Sequence, residues 1–344
     1  MRRAARIATR VLTVFEDRRS TMYSTARFAT GVMIACSFLA GEVGAQTYPD
    51  RPIRFILPYS PGGSYDAVAR LFGQALAERW GQQVIVENRP GAAGRIGMEV
   101  GIKATPDGHS LIMLGNNQTI TPSVHRIVPY DLTRDIDPVG MVATINNVLV
   151  VHPSVPVGSV AELLALAKSK PGTINFGSGG TGGITHLAGE LFKSMSGVNI
   201  VHVPFKGGAF AVIGVVGGET QMMLLNMLNS APHIKANRLR GLAVTSLKRS
   251  AYLPNLPTLD ESGLKGYEIV EWYAVAVPVK TPKQIIAKLS DEITRIANSA
   301  DTKEKLVRQN AEVAPGTAQQ LRAFLKADLA KYAKIVKDAG IKPE

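Results

Sequence analysis

The chain has 344 residues, 45% hydrophobic and 19% charged, which excludes wholesale disorder and leaves room for two domains. One cysteine excludes a disulfide scaffold and a cysteine-rich metal site, and a mean hydropathy of +0.07 excludes a multi-spanning membrane protein. The net charge of +12 comes from dispersed basic residues with no Lys/Arg-rich run, and only 6% of residues are aromatic. Nucleic acid is therefore the weaker partner, and a small anion fits as well.

The N-terminus reads as an export signal. Phe28–Ala40 follows Arg27 and carries no charge. It is too short to cross a bilayer, which takes ~20 residues. Small residues at Val43-Gly44-Ala45 place cleavage after Ala45, giving a periplasmic protein that starts at Gln46. Glu16, Asp17, Arg18 and Arg19 interrupt the first 21 residues, so Met22 offers a second start. The alternatives are a retained membrane anchor and a lipoprotein acylated at Cys36. Removing residues 1–45 takes away seven arginines and three acidic residues, leaves a net charge of +8, and removes the cysteine.

Beyond that point, strands alternate with helices. Pro52–Pro58 predicts a buried strand, residues 65–80 a helix, and Val84–Glu87 a strand. A helix over about 94–104 and a strand at Leu111–Leu114 follow. Pro138–Val151 is strand-like, Val160–Lys168 helical and Ile174–Phe176 a strand. Helices at about 184–195, 208–216 and 230–236 alternate with strands at Val198–Val203, Met222–Asn226 and Gly241–Thr245. Tyr267–Val277 is strand-like, and amphipathic helices at about 282–298 and 317–338 close the chain. This alternation predicts an α/β protein with parallel sheets.

Three loops carry candidate chemistry. The first runs from Pro58 to Asp66 through Tyr59, Gly62, Gly63, Ser64 and Tyr65. It joins a strand end to a helix start, where unpaired N–H groups and the helix dipole favour an anion. It reads equally as a plain turn with Ser64 as cap and Asp66 as dipole partner. The second, Gly177–Gly182, matches G-x-G-x-x-G, but the strand after it ends without an acidic residue for a ribose. No dinucleotide cofactor is expected. A second anion cradle from Ser178, Gly180, Thr181 and Gly182 remains. A nucleophile elbow needs glycine at 176, where Phe176 stands. The third, Val203–Gly208, presents Lys206 to a carboxylate or merely to solvent. The six histidines lack metal-ligand spacing, and His186 reads as a cap or packing residue.

Several stretches together resemble the periplasmic solute receptors of tripartite tricarboxylate transporters, the Bug-type binding proteins. They include Tyr48-Pro49-Asp50-Arg51-Pro52-Ile53, Pro61-Gly62-Gly63-Ser64, Glu87-Asn88-Arg89-Pro90-Gly91-Ala92, His186-Leu187-Ala188-Gly189-Glu190 and His202-Val203-Pro204-Phe205-Lys206-Gly207. The match runs in order from about residue 48 to the C-terminus.

The resemblance implies a type II periplasmic-binding-protein fold, a Venus flytrap of two α/β lobes joined by crossing strands near Asn146–His152 and Glu271–Val277. Lobe one is then 46–146 plus 272–344, and lobe two 147–271. The loops at Pro58–Asp66 and Gly177–His186 close on a carboxylated ligand, and permease subunits in the membrane receive it. The protein is expected to act as a monomer. Tyr65, Gly183, Gln221 and Leu225 depart from the family's usual residues. Leu225 does not suit a ligand amine, which leans the reading toward a plain organic acid over an amino acid, and Tyr65 and Trp272 lean it toward an aromatic acid. The alternative is a secreted α/β enzyme, such as a hydrolase, acting on a small anion.

Overall fold

The computed structural model describes residues 48–343. Met22, Cys36 and the expected cleavage after Ala45 lie outside them. Arg51–Glu344 form one compact unit.

The first half is built on three parallel strands in the order β2-β1-β3. They are β1 (Ile53–Leu57), β2 (Val84–Asn88) and β3 (Ser110–Leu114). Every residue of β3 is buried, as expected for a parallel strand covered on both faces. Helix α1 (Ser64–Trp80) follows β1 and ends at Gly81, whose φ of 65° lets its N–H reach back to the Ala77 carbonyl. Helix α2 (Arg95–Ile102) precedes β3, and α3 (Asn116–Val124) follows it.

The second half repeats the scheme with β5 (Asn175–Ser178) between β6 (Val201–Pro204) and β7 (Met222–Asn226), all parallel. Its helices are α4 (Val160–Ser169), α5 (Ile184–Ser196), α6 (Gly208–Val216) and α7 (Met227–Lys235).

Two long strands join the halves. In β4 (Ile136–Val151), residues up to Asn146 pair antiparallel with β9 (Val270–Pro278). From Asn147 onward β4 pairs with β7 and with β8 (Arg240–Val244). The order along the sheet is β2-β1-β3-β9-β4-β7-β5-β6. The result is a two-lobe α/β fold with mixed strand directions, parallel within each lobe and antiparallel where β4 and β9 cross. The chain closes with α8 (Lys283–Asn298), α9 (Ala300–Arg308), β10 (Glu312–Gly316) and α10 (Ala318–Asp338).

Each half has its own apolar core. One gathers Met98, Ile112, Leu114, Trp272, Leu321 and Leu325; the other Leu149, Phe176, Leu187, Phe192, Leu224 and Tyr267. Helix α10 enters both, with Leu321 and Leu325 in the first and Tyr332, Ile335 and Val336 in the second. Ile120 and Val124 of α3 also pack in the second core.

Three elements occupy stretches to which the sequence pattern assigns no element. Helix α3 opens on Asn-Asn-Gln and contains Pro122, so it shows no apolar stripe. Helix α9 buries only Thr302 and Leu306, and β10 is short and contains Pro315. No described helix is long and apolar enough to cross a membrane.

Candidate functional site

The first loop is clamped from within. The Asp66 carboxylate accepts from the Gly62 N–H at 3.0 Å, from Arg70 Nε at 3.0 Å and from Asn88 Nδ2 at 3.0 Å. Burial works to raise its pKa, but the bonds from Arg70, Gly62 and Asn88 outweigh this and hold the carboxyl below its usual range. Gly62 has a φ of 81°, and its N–H is committed to that clamp. The helix cap is Gly63 rather than Ser64; Ser64 is already helical. The N-terminal amides of α1 therefore have no side-chain cap.

Beneath this loop lies a tyrosine stack. The rings of Tyr59 and Tyr65 are parallel with centroids 3.7 Å apart, and Tyr273 meets Tyr65 at 4.5 Å, tilted by 50°. The Tyr59 hydroxyl donates to Gln118 Oε1 at 2.7 Å, and the Asn116 N–H donates to the Tyr65 hydroxyl at 3.3 Å. The Tyr273 hydroxyl donates to Glu271 at 3.1 Å, and Asn226 Nδ2 donates to the same carboxyl at 3.2 Å. Burial pushes the Glu271 carboxyl up despite these two donors. The cluster ties the first loop to β9, the strand that crosses between halves.

The second loop is stitched to itself. Ser178 is fully buried; its hydroxyl accepts from the Gly180 N–H at 3.2 Å and lies 2.6 Å from His202 Nε2. The Gly182 N–H donates to His186 Nδ1 at 3.0 Å, and the Gly179 N–H to the Thr185 hydroxyl at 3.1 Å. His186 and His202 stack at 3.8 Å. Burial first, then the neighbouring ring and Lys193, lowers the His202 pKa to about 4; burial lowers that of His186 too. Both rings are neutral at pH 7. Exposed Thr181, with Gly180 and Gly182, lines a crevice of about 120 Å³ against Ala93, Asn117, Thr121 and Val124.

The larger space opens between the first and third loops. A cavity of about 730 Å³ has Tyr59 to Tyr65 on one side and Lys206 to Ala209, Phe210, Val212 and Ile213 on the other. Asn229 and His233 of α7 complete it. Helices α1, α5 and α6 all start behind a glycine (Gly63, Gly183, Gly207) with no side-chain cap. Helices α2, α3 and α8 also start, at Gly94, Gly115 and Pro282, without a capping side chain, away from the 730 Å³ cavity, whereas Ser159, Asn226, Ser299 and Thr317 cap α4, α7, α9 and α10. Uncapped amides at a helix start, with the dipole behind them, form a seat for an anion.

The structure thus gathers Tyr59, Gly62, Gly63, Ser64, Tyr65 and Lys206 on one cavity, and Gly180, Thr181 and Gly182 on the crevice. Asp66, Ser178 and His186 serve the loops' own hydrogen bonds. Trp272 lies elsewhere. Side chains alternate along β9, so Glu271 and Tyr273 face the tyrosine stack while Trp272 faces away. Its Nε1 donates to Asp328 at 2.9 Å, its ring meets Phe324 edge-on, and it lines a separate cavity of about 370 Å³. Sequence reasoning missed Asn116, Gln118, Phe210, Glu271 and Tyr273. The Asn116-Asn117-Gln118 run directly after a strand was the available signal for the first two. Among the described residues no group of three or more His, Cys, Asp or Glu can hold a metal ion.

Comparison with known proteins gives these features a family. The chain is 35% identical over 307 residues to the UPF0065 protein in the tcbD-tcbE intergenic region of Pseudomonas sp. (strain P51), covering 88% of this chain and 91% of that one. It is 34% identical over 314 residues to protein BugT of Bordetella pertussis, covering 91% and 96%. Among solved structures, R. palustris Rpa4515 with adipate superposes with a TM-score of 0.79 at 34% identity, covering 86% of this chain and all of that one. The model of the tripartite tricarboxylate transporter family receptor, TctC, matches residues 68–341. The chain belongs to this TctC family of solute-binding receptors, which bind rather than transform their ligands.

Proposed function

We propose that this receptor captures a small organic carboxylate in the cleft between its lobes and delivers it to the membrane permease subunits of a tripartite tricarboxylate-type transporter. The observation that carries the reading is the set of three glycine-led, uncapped helix starts at the candidate loops, with Lys206 on the cavity wall. The carboxylate sits on the N-terminal amides of α1 and α6, with the Ser64 hydroxyl and Lys206 beside it. Gly180, Thr181 and Gly182 meet it from the crevice when the lobes close. A similar protein is described with adipate, a dicarboxylate, which supports this ligand class.

In this reading the lobes are 46–146 plus 272–344 and 147–271, hinged where β4 and β9 cross. A ligand that touches both lobes binds the closed form better, and that difference in affinity drives closure. The receptor works as a monomer in the periplasm after removal of residues 1–45.

A thermal-shift and calorimetric screen of residues 46–344 against mono-, di- and tricarboxylates and amino acids tests the reading. A ligand at 100 times its Kd raises stability by ~2.7 kcal/mol, a readable shift. Binding of a carboxylate but not of its methyl ester or amide is expected. A protein that ignores every carboxylate and binds a neutral solute overturns it.

A further inference from the structure

The wall that α6 gives to the cavity is apolar throughout. Its sequence, Gly-Ala-Phe-Ala-Val-Ile-Gly-Val-Val, contains no polar side chain. One face packs inward: Ala211, Gly214 and Val215 are buried, and a Cβ at Gly214 would come within 2.4 Å of the Phe205 ring. The other face carries Phe210 and Ile213, three residues apart and so side by side on the helix. They are 60% and 68% exposed, and both line the 730 Å³ cavity. Two large apolar side chains left open to water at a cavity wall mark a contact surface. The cavity's volume lies within the range of sites that enclose drug-sized ligands lined mostly by apolar groups.

Charge on the same wall is sparse. Of the lining residues, Lys206 is the one lysine, and there is no arginine and no acidic residue. His233 adds no charge at pH 7, because burial and the nearby Arg238 lower its pKa. The polar groups and the helix starts lie with Ser64 and Lys206, and the apolar wall continues from Lys206 along α6.

We infer that the cavity takes a monocarboxylate with an aryl or alkyl body of about six carbons or more, its single carboxylate at Ser64 and Lys206 and its apolar body against Phe210 and Ile213. This rests on the carboxylate-receptor reading above and narrows its ligand class. Tri- and dicarboxylates would leave a second charge against the apolar wall with no partner, at a desolvation cost.

The test is calorimetry on residues 46–344 with butanoate, hexanoate, octanoate and phenylacetate beside succinate, adipate and citrate. The wild-type protein should gain about fourfold in affinity per added methylene along the alkyl series. Phe210→Ser with Ile213→Thr should flatten that slope and cost the octanoate and phenylacetate complexes about tenfold or more. Both residues are exposed, so the empty variant should keep its unfolding midpoint, which is measured alongside.

If citrate, succinate or adipate binds more tightly than every apolar acid, or if the double variant keeps the wild-type slope, the inference is overturned while the carboxylate reading stands. If no carboxylate binds at all, the carboxylate reading itself fails. If the variant binds normally but loses uptake in cells, the patch is a docking face for the permease, and the inference again fails.

Discussion

The Ser178 hydroxyl lies 2.6 Å from His202 Nε2, deep in the second half of the molecule, and also accepts from the Gly180 N–H. The one hydroxyl proton is taken by His202 Nε2 or by the Gly180 carbonyl at 3.1 Å, so this buried serine holds its own loop and has no proton to donate to a ligand carboxylate. Ser178→Ala leaves the Gly180 N–H and the His202 nitrogen without their partner, at ~1–3 kcal/mol. The expected outcome is a lower urea midpoint with ligand affinity within about threefold of wild type. An affinity loss at unchanged stability would make Ser178 a ligand donor instead.

The same pair predicts a pH dependence. The folded protein keeps His202 neutral down to about pH 4, whereas the unfolded chain takes up its proton near 6.5. Between those values the unfolded state binds more protons, so stability falls as pH drops from 6.5 toward 4 and is flat in this respect above 6.5. His186, lowered as well, adds to the same window. Asp66 acts in the same direction only below its ordinary value of 3.8. Chemical denaturation at pH 8, 6, 5 and 4.5 should show the decline, and His202→Gln should reduce its slope. An unchanged slope in that variant would move the effect to other groups.

Glu271 behaves in the opposite sense. Burial raises its folded pKa above 4.5, so the folded state holds its proton more tightly than the unfolded chain. Its contribution is fully present below 4.5 and is lost as pH rises through the folded value. Glu271→Gln keeps an oxygen for the Tyr273 hydroxyl and the Asn226 amide and removes the buried charge. The variant should be more stable than wild type at pH 8, with the gain shrinking toward pH 5. Equal curves at both pH values would show that Glu271 is not strained by its burial.

The strands and most helices were legible because their apolar runs and glycine-rich turns follow local rules. The long run from Pro138 to Val151 showed as one strand, which proved to be the crossing strand β4. What local rules cannot show is which loops meet. The sequence pairs the first loop with the Gly177–Gly182 loop, because both look like anion cradles. The fold sets the first loop across the main cavity from Lys206, with the second loop beside it in a smaller crevice. Trp272 and Tyr273 are adjacent in sequence and face opposite sides of β9, and only the sheet register decides which one reaches the tyrosine stack. Glu271 drew no notice because a single carboxylate in an apolar run has no motif.

Gly115 marks where Tyr65 lies. A Cβ at this position would fall 2.1 Å from Tyr65 Cε1, although the backbone there is extended and suits any residue. Gly115→Ala therefore acts only by collision, pushing Tyr65 off Tyr59 at ~1–3 kcal/mol. In a Tyr65→Ala background the same change should cost much less. Additive losses in the double-variant cycle would mean that the two do not meet.

Gly182 combines two constraints, and its replacement tests the closing movement. Its φ is 75°, and a Cβ there would stand 3.2 Å from Val124 Cγ2 across the crevice. Gly182→Val meets both at once. A β-branched residue with positive φ is strained by ~1–3 kcal/mol, and its methyl groups press on Val124 of α3. Ligand binding should weaken further than stability does, because the crevice is where the second loop approaches the other half of the molecule. Val124→Ala should restore part of the affinity by clearing space and none of the backbone strain. Small-angle scattering with saturating ligand separates the effects: the wild-type protein should contract, Gly182→Val should not, and Gly182→Val with Val124→Ala should contract partly. If Gly182→Val contracts like wild type, the crevice takes no part in closure, and Gly182 matters only for its own turn.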